Sequence, residues 1–549
     1  MYKVIVDGEM FVNMISLGAA TLEEHRAEIN DLNVFPIPDG DTGDNMCMTM
    51  EAGIASVTGK NTLSIGEAAS LISDGMLLGA RGNSGVILSR IFAGIAKGLK
   101  EHDKADVKAL ANAFRIGSDE AYLAVPVPVD GTILSVYRDA TEYALSRVSE
   151  ETTLAEYMND LLTELRSSLS RTPDLLDVLK EAGVVDSGGA GFVYISEGMK
   201  RAIDGEIASP SAPAAHREAG PDLSAFTEDS VLEFGYCTEF LLRLQTSKVD
   251  IDSFDVKELV SLLEGIGGES IVAFREGSIV KIHVHTPRPG DVLDLCQRFG
   301  EFLTLKIENM SLQHNNRIEK EKAAPKKVRS KYGIVAVAAG EGIKNTFSEL
   351  GCDKVIDGGR LMNPSAEDFV RAFDEVNADT VFVFPNNSNV FLTATQAAKL
   401  YEGCRAVILP TKSVGEGYAA VSMIDLSGDD PDAIAAELDE VIAGVKTGTV
   451  SQASKDVTRD GVKIVAGDYI GFSGGVILTD EKTRYDAAAA LCDGMGAGDF
   501  DIMLLITGEG VTEEDGESLR ASFAAKYKNT EVITIAGGQP IYDLIIVLE

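Results

Sequence analysis

Positive charge is scarce in this chain. Its 549 residues include 49 Lys and Arg against 86 Asp and Glu, which gives a formal net charge of −37. General binding to nucleic acid or to anionic membranes needs basic patches, so this balance argues against both. The acidity instead favours solubility, binding of divalent cations and a partner protein with a basic face.

Three further absences limit the class of protein. The six cysteines include no CxxC pair, which is typical of a reduced protein and not of a disulfide framework. No apolar run approaches the roughly 18 residues that a membrane span needs. The start, "MYKVIVDGEM", also lacks the basic-then-apolar layout of a secretory signal. We therefore expect a soluble, cytoplasmic protein without a membrane span.

The length exceeds what one hydrophobic core usually organises, so we expect several domains. Two stretches have the composition of solvated linkers: the Pro/Ala/Ser-rich residues 206–222 and the basic residues 316–331. They separate three predicted domains, at 1–205, 223–315 and 332–549.

Hydrophobic periodicity predicts a different fold class for each domain. The first is predicted to be all-α, and in "TPDLLDVLKEAG" the spacing predicts a helix capped by Thr172 and ended by Gly183. The second has the element order βαββαβ, the ferredoxin-like arrangement, in which the first and third strands are neighbours. The third alternates strands and helices, which predicts α/β with a mainly parallel sheet in two subdomains that meet near 425–450.

One loop of the first domain concentrates negative charge. "NVFPIPDGDTGDNM", residues 33–46, places Asp39, Asp41 and Asp44 among glycines, just before a helix predicted to start near Asp44. The spacing matches neither an EF-hand nor a Walker P-loop. Carboxylate oxygens suit Mg²⁺, and the N–H groups of a helix N-terminus suit the phosphates that Mg²⁺ accompanies. The alternative is a solvated acidic turn without a ligand.

Two glycine-rich turns strengthen the metal–nucleotide hypothesis. "GARGNSG" (79–85) and "DSGGAG" (186–191) each precede an apolar helix and could present backbone amides to an anion. Either turn alone is explained by ordinary helix starts and stops. With the acidic loop in the same domain, they predict a Mg–nucleotide site at a common rim.

Several motifs together resemble known kinases. "NVFPIPDGDTGDNM", "GARGNSGVILSRIF", "GTILSVYRDA" and "VVDSGGAGF" resemble the nucleotide-binding (DhaL-like) subunit of dihydroxyacetone kinases. With "FGYCTEFLL", "IHVHT" and "GGQPIYDLIIVLE", the whole chain resembles the kinase subunit of bacterial fatty acid kinase. The resemblance implies an antiparallel helical barrel that binds ATP with two Mg²⁺ ions.

The resemblance also implies roles for particular residues. The implied metal ligands are Asp39 and Asp41, with Asn33 and Asp44 as further candidates. The implied nucleotide contacts fall in three groups: Thr42, Gly43, Asp44, Asn45 and Met46; Asn83, Ser84 and Gly85; and Thr132, Leu134, Asp186 and Gly188.

A second candidate site lies in the middle domain. On a strand, residues two apart share a face, so His283 and His285 form one pair, and Cys237 and Glu239 form another. Cys237 with both imidazoles is a plausible Zn²⁺ set. Alternatively, the imidazoles activate the cysteine or bind the reacting groups directly. The resemblance implies that Cys237, His283 and His285 are needed for activity and that this domain forms a homodimer.

The resulting functional hypothesis is ATP-dependent phosphorylation of a fatty acid carboxylate, giving an acyl phosphate for phospholipid synthesis. The resemblance implies a separate DegV-type fatty-acid-binding carrier, which we expect to dock on the C-terminal domain. One alternative is a kinase of a small hydroxylated molecule such as dihydroxyacetone. Another is a regulator or scaffold that binds nucleotide and metal without phosphoryl transfer.

One further loop of the C-terminal domain, "PNNSNV" (385–390), is rich in turn-forming residues. Turn chemistry alone explains it.

Overall fold

The computed structural model describes residues 5–34, 37, 40–60, 63–208, 236–251, 254–267, 269–276, 278–309 and 329–549. The chain divides into two compact units: Met1–Pro213 together with Val328–Glu549, and Ala214–Lys327. Within the described part, no helix is both long and apolar enough to cross a membrane.

The N-terminal part of the first unit is helical, as predicted. Its helices are α1 Gly8–Glu24, α2 Arg26–Asp31, α3 Thr42–Val57, α4 Ile65–Gly79, α5 Gly82–Leu99, α6 Val107–Ala124, α7 Ile133–Ser146, α8 Leu154–Leu175, α9 Asp177–Ala182 and α10 Ser187–Ile203. They enclose one core, with Phe11, Phe114, Tyr137, Tyr157 and Phe192 almost fully buried. The Tyr137 hydroxyl donates to the Phe114 carbonyl oxygen at 2.8 Å, so this buried polar group has a partner.

The helix predicted to start at Thr172 is wrong in its first half. Thr172 lies in the last turn of α8, which continues through Pro173 to Leu175, and a separate short helix follows. The Thr172 hydroxyl accepts a hydrogen bond from the Asp186 N–H at 3.1 Å. The Thr172 hydroxyl, which the sequence predicted to cap a helix, therefore makes a tertiary contact with Asp186 instead. The predicted end is correct, because Gly183 adopts φ 67° directly after α9.

The described residues of the second unit form a four-stranded antiparallel sheet and two helices. Its elements are β1 Tyr236–Leu244, α11 Val256–Gly265, β2 Glu269–Glu276, β3 Ile279–Thr286, α12 Pro289–Cys296 and β4 Gly300–Asn309. The strand order is β2-β3-β1-β4, so the first and third strands are neighbours, as predicted. Ile282 and Val284 are fully buried in its core, as the alternation on β3 indicates.

The C-terminal part of the first unit begins with a parallel sheet. The elements here are β5 Ser330–Ala338, α13 Glu341–Glu349, β6 Lys354–Asp357, α14 Ala366–Val376, β7 Ala378–Phe384, α15 Phe391–Leu400, β8 Arg405–Ile408, α16 Val414–Met423 and α17 Pro431–Gly444. The strand order is β6-β5-β7-β8, and every neighbouring pair is parallel. Helical crossovers between successive strands permit this arrangement, as the alternating sequence predicted.

A second, mixed sheet completes the chain, and here the predicted mainly parallel sheet is wrong. Its elements, with a small hairpin β10–β11, are β9 Lys446–Gln452, β10 Val457–Arg459, β11 Val462–Ile464, β12 Tyr469–Ser473, β13 Val476–Glu481, α18 Arg484–Met495, β14 Ile502–Thr507, α19 Glu513–Lys526, β15 Glu531–Ala536 and β16 Tyr542–Leu548. Only β14 and β15 pair in parallel; the other neighbours are antiparallel. Parallel strands that follow each other in sequence need a crossover connection, usually a helix. The links from β12 to β13 and from β15 to β16 are too short for one.

Candidate active site

The acidic loop leads directly into α3. Asp41 is the residue before the helix, and Thr42 begins it, close to the predicted start at Asp44. Asp39 lies outside the described residues. Of the three aspartates in the loop, the structure therefore describes Asp41 and Asp44. The predicted acidic cluster is therefore described only in part.

The Asp41 carboxylate is held by the C-terminal part of the same unit. Its Oδ2 atom accepts hydrogen bonds from Asn363 Nδ2 and from Asn389 Nδ2, each at 2.8 Å. Burial raises the pKa of Asp41 to about 6, and the negative charge of Asp44 acts in the same direction. Asp41 is thus a half-buried carboxylate that two neutral amides support and that a cation would stabilise further.

Asp44 faces a different set of partners. Asn30 Nδ2 donates to Asp44 Oδ2 at 2.9 Å, and Arg26 Nη1 lies 3.6 Å from Asp44 Oδ1. Asn30 Oδ1 also accepts the Gly43 N–H at 2.7 Å, so α2 is tied to the first turn of α3. The sequence near the loop contains no basic residue, but the fold brings Arg26 to it. Among the described residues, Asp44 therefore has a positively charged partner that Asp41 lacks.

The start of α3, next to Asp41, is linked to three other helices through pairwise contacts. Ser187 Oγ donates to Thr42 Oγ1 at 3.1 Å, which joins α10 to α3. A Cβ atom at Gly85 would lie 2.4 Å from Thr49 Oγ1, so α5 packs closely on α3. A Cβ atom at Gly188 would lie 3.2 Å from the Ile133 Cβ, so α10 also packs on the first turn of α7. Helix N-termini carry backbone N–H groups without helical partners and bind anions, phosphates above all.

The predicted nucleotide residues differ in their exposure. Asn45 and Met46 on α3 are almost fully buried, and Leu134 on α7 belongs to the helical core. Thr132 precedes α7, and its hydroxyl donates to the Val129 carbonyl oxygen at 2.8 Å.

Asp186 is buried at the start of α10. Its Oδ2 accepts the Gly189 N–H at 2.6 Å, which caps the helix. Burial raises the pKa of Asp186 to about 6, against the opposing effect of its backbone hydrogen bonds. The glycines that follow leave room for the close packing of α10 against its neighbours.

The start of α5 contacts the C-terminal part through its backbone. The Asn83 N–H donates to Asn389 Oδ1 at 2.8 Å, and Arg81 Nη1 donates to the Asn363 carbonyl oxygen at 2.8 Å. Gly82 has φ 55°, and a Cβ atom there would lie 2.9 Å from Asn389 Nδ2. Glycine is therefore required both for the backbone conformation and for the approach of Asn389. Ser84 and Gly85 continue the helix from this contact.

The other end of the acidic loop is also anchored in the C-terminal part. Ile37 is 4% exposed and belongs to an apolar cluster whose other buried members are Ala453, Ile464, Ile470 and Ile477. Lys455 Nζ donates to the Asn33 carbonyl oxygen. The segment that contains Asn33, Ile37 and Asp41 is thus fixed to the C-terminal part at three places.

The polar atoms around Asp41 are suited to a hard cation. Asn363 Oδ1 and Asn83 Oδ1 are buried carbonyl oxygens without a hydrogen-bond partner. Unpaired buried acceptors are unusual and are explained by a ligand, an ion or water. Like the Asp41 carboxylate, they are oxygen ligands of the kind that Mg²⁺ prefers. In the described part of the chain, no cluster of three His, Cys, Asp or Glu side chains is placed to bind a metal.

The second candidate site is described only through its backbone. In the β1–β3 register Cys237 is opposite His285, and Glu239 is opposite His283. The side chains of these four residues lie outside what the structure describes. The register brings the three residues of the Cys/His/His hypothesis to adjoining positions of one sheet, and their chemistry stays a prediction.

Sequence analysis missed Asn363 and Asn389 entirely. Asn389 belongs to "PNNSNV", which was attributed to turn chemistry, and the segment around Asn363 was not singled out. A useful signal was available: both loops follow strands of the parallel sheet, at the carboxyl ends where such sheets bind ligands. Their distance of more than 300 residues from Asp41 is what concealed the contact.

The comparisons with known proteins agree across the whole length. Residues 36–201 match the family model of the DAK2 domain. Residues 233–317 match the model of the FakA-like fatty acid kinase middle domain, and residues 333–549 match the model of the FakA-like C-terminal region. Fold and site together define a multidomain protein of kinase type, with a helical DAK2 domain followed by two further domains.

Full-length relatives identify the family. The chain is 38% identical over 557 residues to Protein YloV of Bacillus subtilis, with 99% of each chain covered. It is 35% identical over 554 residues to an uncharacterised protein of Staphylococcus saprophyticus, again with 99% of each covered. The chain belongs to the FakA-like family of fatty acid kinase subunits.

Solved structures match the chain over a smaller portion. A fatty-acid-binding DegV family protein from Thermus thermophilus matches 40% of this chain and 99% of its own, with 13% identity and a TM-score of 0.30. The linoleic-acid-loaded fatty acid kinase B3 protein of Streptococcus pneumoniae gives 11% identity, the same coverage and a TM-score of 0.27.

Proposed function

We propose that this chain is an ATP-dependent kinase that phosphorylates the carboxylate of a fatty acid presented by a separate carrier protein. One observation carries the proposal: the half-buried Asp41 carboxylate directly precedes α3, and the starts of α5 and α10 contact that helix. Such an arrangement combines phosphate-binding backbone amides with an acidic metal ligand. Membership of a family of kinase subunits supports the same activity.

The proposed nucleotide site assigns a role to each part of the helical rim. The segments Thr42–Met46 and Asn83–Gly85 would surround the phosphates. Asp39 and Asp41 would hold Mg²⁺, which when bound neutralises phosphate charge. The neighbourhood of Thr132 and Asp186 would face the nucleoside. The unpaired oxygens of Asn83 and Asn363 support a cation at this place.

The chemistry needs little from the protein beyond placement. A fatty acid carboxylate is ionised near neutral pH, so it attacks without a general base. One of its oxygens bonds to the γ-phosphorus, the bond from that phosphorus to the bridging oxygen of ADP breaks, and no proton moves. Positioning of the two reactants and stabilisation of the phosphoryl charge are therefore the expected sources of rate.

The domain organisation supports delivery of the lipid by a partner. We propose domains at 1–205, 223–315 and 332–549, with a DegV-type fatty-acid-binding carrier docking on the last. The family is one of kinase subunits, which is consistent with a separate component that carries the lipid. The acidity of the chain favours a carrier that presents a basic face.

For the middle domain we propose a ferredoxin-like fold, dimer formation and a functional Cys/His/His group. The βαββαβ order with strands arranged β2-β3-β1-β4 supports the fold. Leu303, Leu305 and Ile307 on edge strand β4 are 45%, 48% and 39% exposed, an apolar row that a second copy would cover. The pairing of Cys237 with His285 supports a shared site, which would either bind Zn²⁺ or act on the reacting groups.

The proposed activity is tested by mixing the purified full-length protein, Mg·ATP and a carrier loaded with fatty acid. We expect acyl phosphate, trapped as a hydroxamate, together with an equal amount of ADP. Dihydroxyacetone replaces the loaded carrier in a parallel reaction, and turnover with it instead would favour a glycerone-type kinase. Binding of Mg·ATP without any phosphoryl transfer would overturn the proposal in favour of a regulator.

A further inference from the structure

We infer that Asn363 and Asn389, far from the helical domain in sequence, are positioning residues of the kinase site. Their amides orient the Asp41 carboxylate so that one of its oxygens stays available to the metal of Mg·nucleotide. The inference rests on the proposed function, because that function identifies the surroundings of Asp41 as a Mg·nucleotide site. It adds that the C-terminal domain completes the nucleotide site, beyond any role in docking a carrier.

The hydrogen bonds around Asp41 have the required asymmetry. Both amides donate to the same oxygen, Oδ2, at 2.8 Å, and neither bond involves Oδ1. A carboxylate that binds Mg²⁺ through one oxygen commonly has its other oxygen fixed by hydrogen bonds. Asn363 Nδ2 also donates to Asn45 Oδ1, which ties the same amide to the first turn of α3.

The two asparagines are themselves held in place. The Asn363 N–H donates to the Gly358 carbonyl oxygen at 2.7 Å, and its side chain is only 8% exposed. The Asn389 N–H donates to Asn387 Oδ1 at 2.8 Å, and Asn389 Oδ1 accepts the Asn83 N–H. Neither amide has to be ordered when a ligand binds, so the arrangement is preorganised.

Simple packing between two surfaces does not account for this contact. Asn363 Oδ1 is buried without a partner, although burying an unpaired carbonyl oxygen costs about 1–3 kcal/mol. Asn83 Oδ1 is in the same condition. Both side chains belong to residues that contact Asp41 or its partner Asn389, and unpaired buried acceptors of this kind are explained by a hydrogen-bond donor or a cation. A hydrated Mg²⁺ ion supplies both.

The position of the loops in the fold supports a ligand role. Asn363 lies in the loop after β6, and Asn389 lies in the loop after β7. These strands flank β5 in the parallel sheet. Loops at the carboxyl ends of parallel strands are where open α/β sheets bind ligands. In this chain both loops meet the acidic loop of the helical domain.

The experiment measures binding, so it does not depend on the acyl acceptor. Full-length Asn389→Ala and Asn389→Leu proteins are titrated with Mg²⁺ by calorimetry in the presence of a non-hydrolysable ATP analogue. We expect the apparent Mg²⁺ affinity to fall about 10–100-fold, as for other partners that orient metal ligands. The leucine variant keeps the side-chain volume but removes the donor, so it should resemble the alanine variant.

The matched control is Ser388→Ala, because Ser388 is exposed in the same loop. It should bind like the unmodified protein. Asn363→Ala provides a second test, and thermal unfolding of each variant checks that it is folded. Asn389 is less buried than Asn363, so its variants are expected to fold even if Asn363→Ala does not. The Asn389 variants alone then decide the test.

Either of two results would overturn the inference. Unchanged Mg²⁺ affinity in both Asn389 variants would show that the contact is only packing. Tighter binding would show that the asparagines obstruct the site and form an inhibitory latch. The proposed function fails separately, if the unmodified protein binds Mg·nucleotide but forms no acyl phosphate with a loaded carrier.

Discussion

The hydroxyl of Ser187 donates a hydrogen bond to the hydroxyl of Thr42 at 3.1 Å, across a sequence separation of 145 residues. The bond joins the first turn of α10 to the first turn of α3, beside Asp41. It therefore brings together two glycine-containing motifs that are separate in the sequence. The predicted common rim of helix starts depends on such contacts.

Asp41→Asn should abolish magnesium-dependent nucleotide binding while the protein stays folded. Asparagine keeps the size of the side chain and can still accept from Asn363 and Asn389, but it removes the negative charge. The apparent Mg²⁺ affinity should fall by more than about 100-fold, because even residues that only orient a ligand contribute about 10–100-fold. Calorimetry with an ATP analogue measures this.

The control for that variant is Asp103→Asn, an exposed aspartate beyond the far end of α5. It changes the net charge equally but lies beyond the C-terminal end of α5, at the opposite end of that helix from Asn83. If both variants lose affinity to the same extent, net charge and not a metal ligand would explain the loss.

Asp186→Asn should change the pH dependence of stability. The folded pKa of Asp186 is about 6, above its unfolded value of 3.8, so between these values the folded protein binds more protons. Stability therefore falls as the pH rises from about 4 to about 6, by at most about 3 kcal/mol from this group. Asparagine can still cap α10 but does not titrate.

Denaturant unfolding of the two proteins from pH 4 to pH 7 tests this. The unmodified protein should lose stability relative to Asp186→Asn as the pH rises, and the difference should level off above pH 6. A difference that is constant over the whole range would contradict the assignment of a raised pKa to Asp186.

Local sequence signals predicted much of the fold. Glycine and cap residues mark the starts of α5 and α10, and alternation on β3 identified Ile282 and Val284 as core residues. These features depend on residues that are adjacent in the sequence. The direction of β16 does not depend on adjacent residues, because it is determined by the strands that pair with β16 in the sheet.

The candidate site was predictable only on its helical side. The acidic loop and glycine turns carry their own local chemistry, so their residues could be named from the sequence. Arg26, Asn363 and Asn389 reach the loop through tertiary packing, and nothing in their immediate sequence refers to Asp41. The buried position of Ile37 against the C-terminal hairpin was concealed for the same reason.

Ile37→Ala should loosen the acidic loop and weaken nucleotide binding. The substitution leaves a cavity among Ile464, Ile470 and Ile477, at a cost of about 2–5 kcal/mol for an isoleucine at a buried site. Because Ile37 lies four residues before Asp41, part of that cost should appear as faster hydrogen exchange at the start of α3. Mass spectrometry of the exchanged protein measures it.

The matched control is Ile207→Ala, since Ile207 is 82% exposed and its truncation removes little buried surface. Exchange at the start of α3 should be unchanged in that variant. Equal exchange in Ile37→Ala and the unmodified protein would show that the C-terminal part does not hold the loop in solution.

Leu305→Glu should convert the proposed dimer into a monomer. Leu305 and Ile307 are two residues apart and share one face of edge strand β4, with the exposed Leu303 next to them at a register shift. A charge at Leu305 would be buried in any interface formed there. Sedimentation velocity at several protein concentrations measures the mass. Leu262→Glu is the control, because Leu262 is 41% exposed but lies on α11, away from the strand. If Leu305→Glu sediments as the unmodified protein does, any dimer must use a different surface.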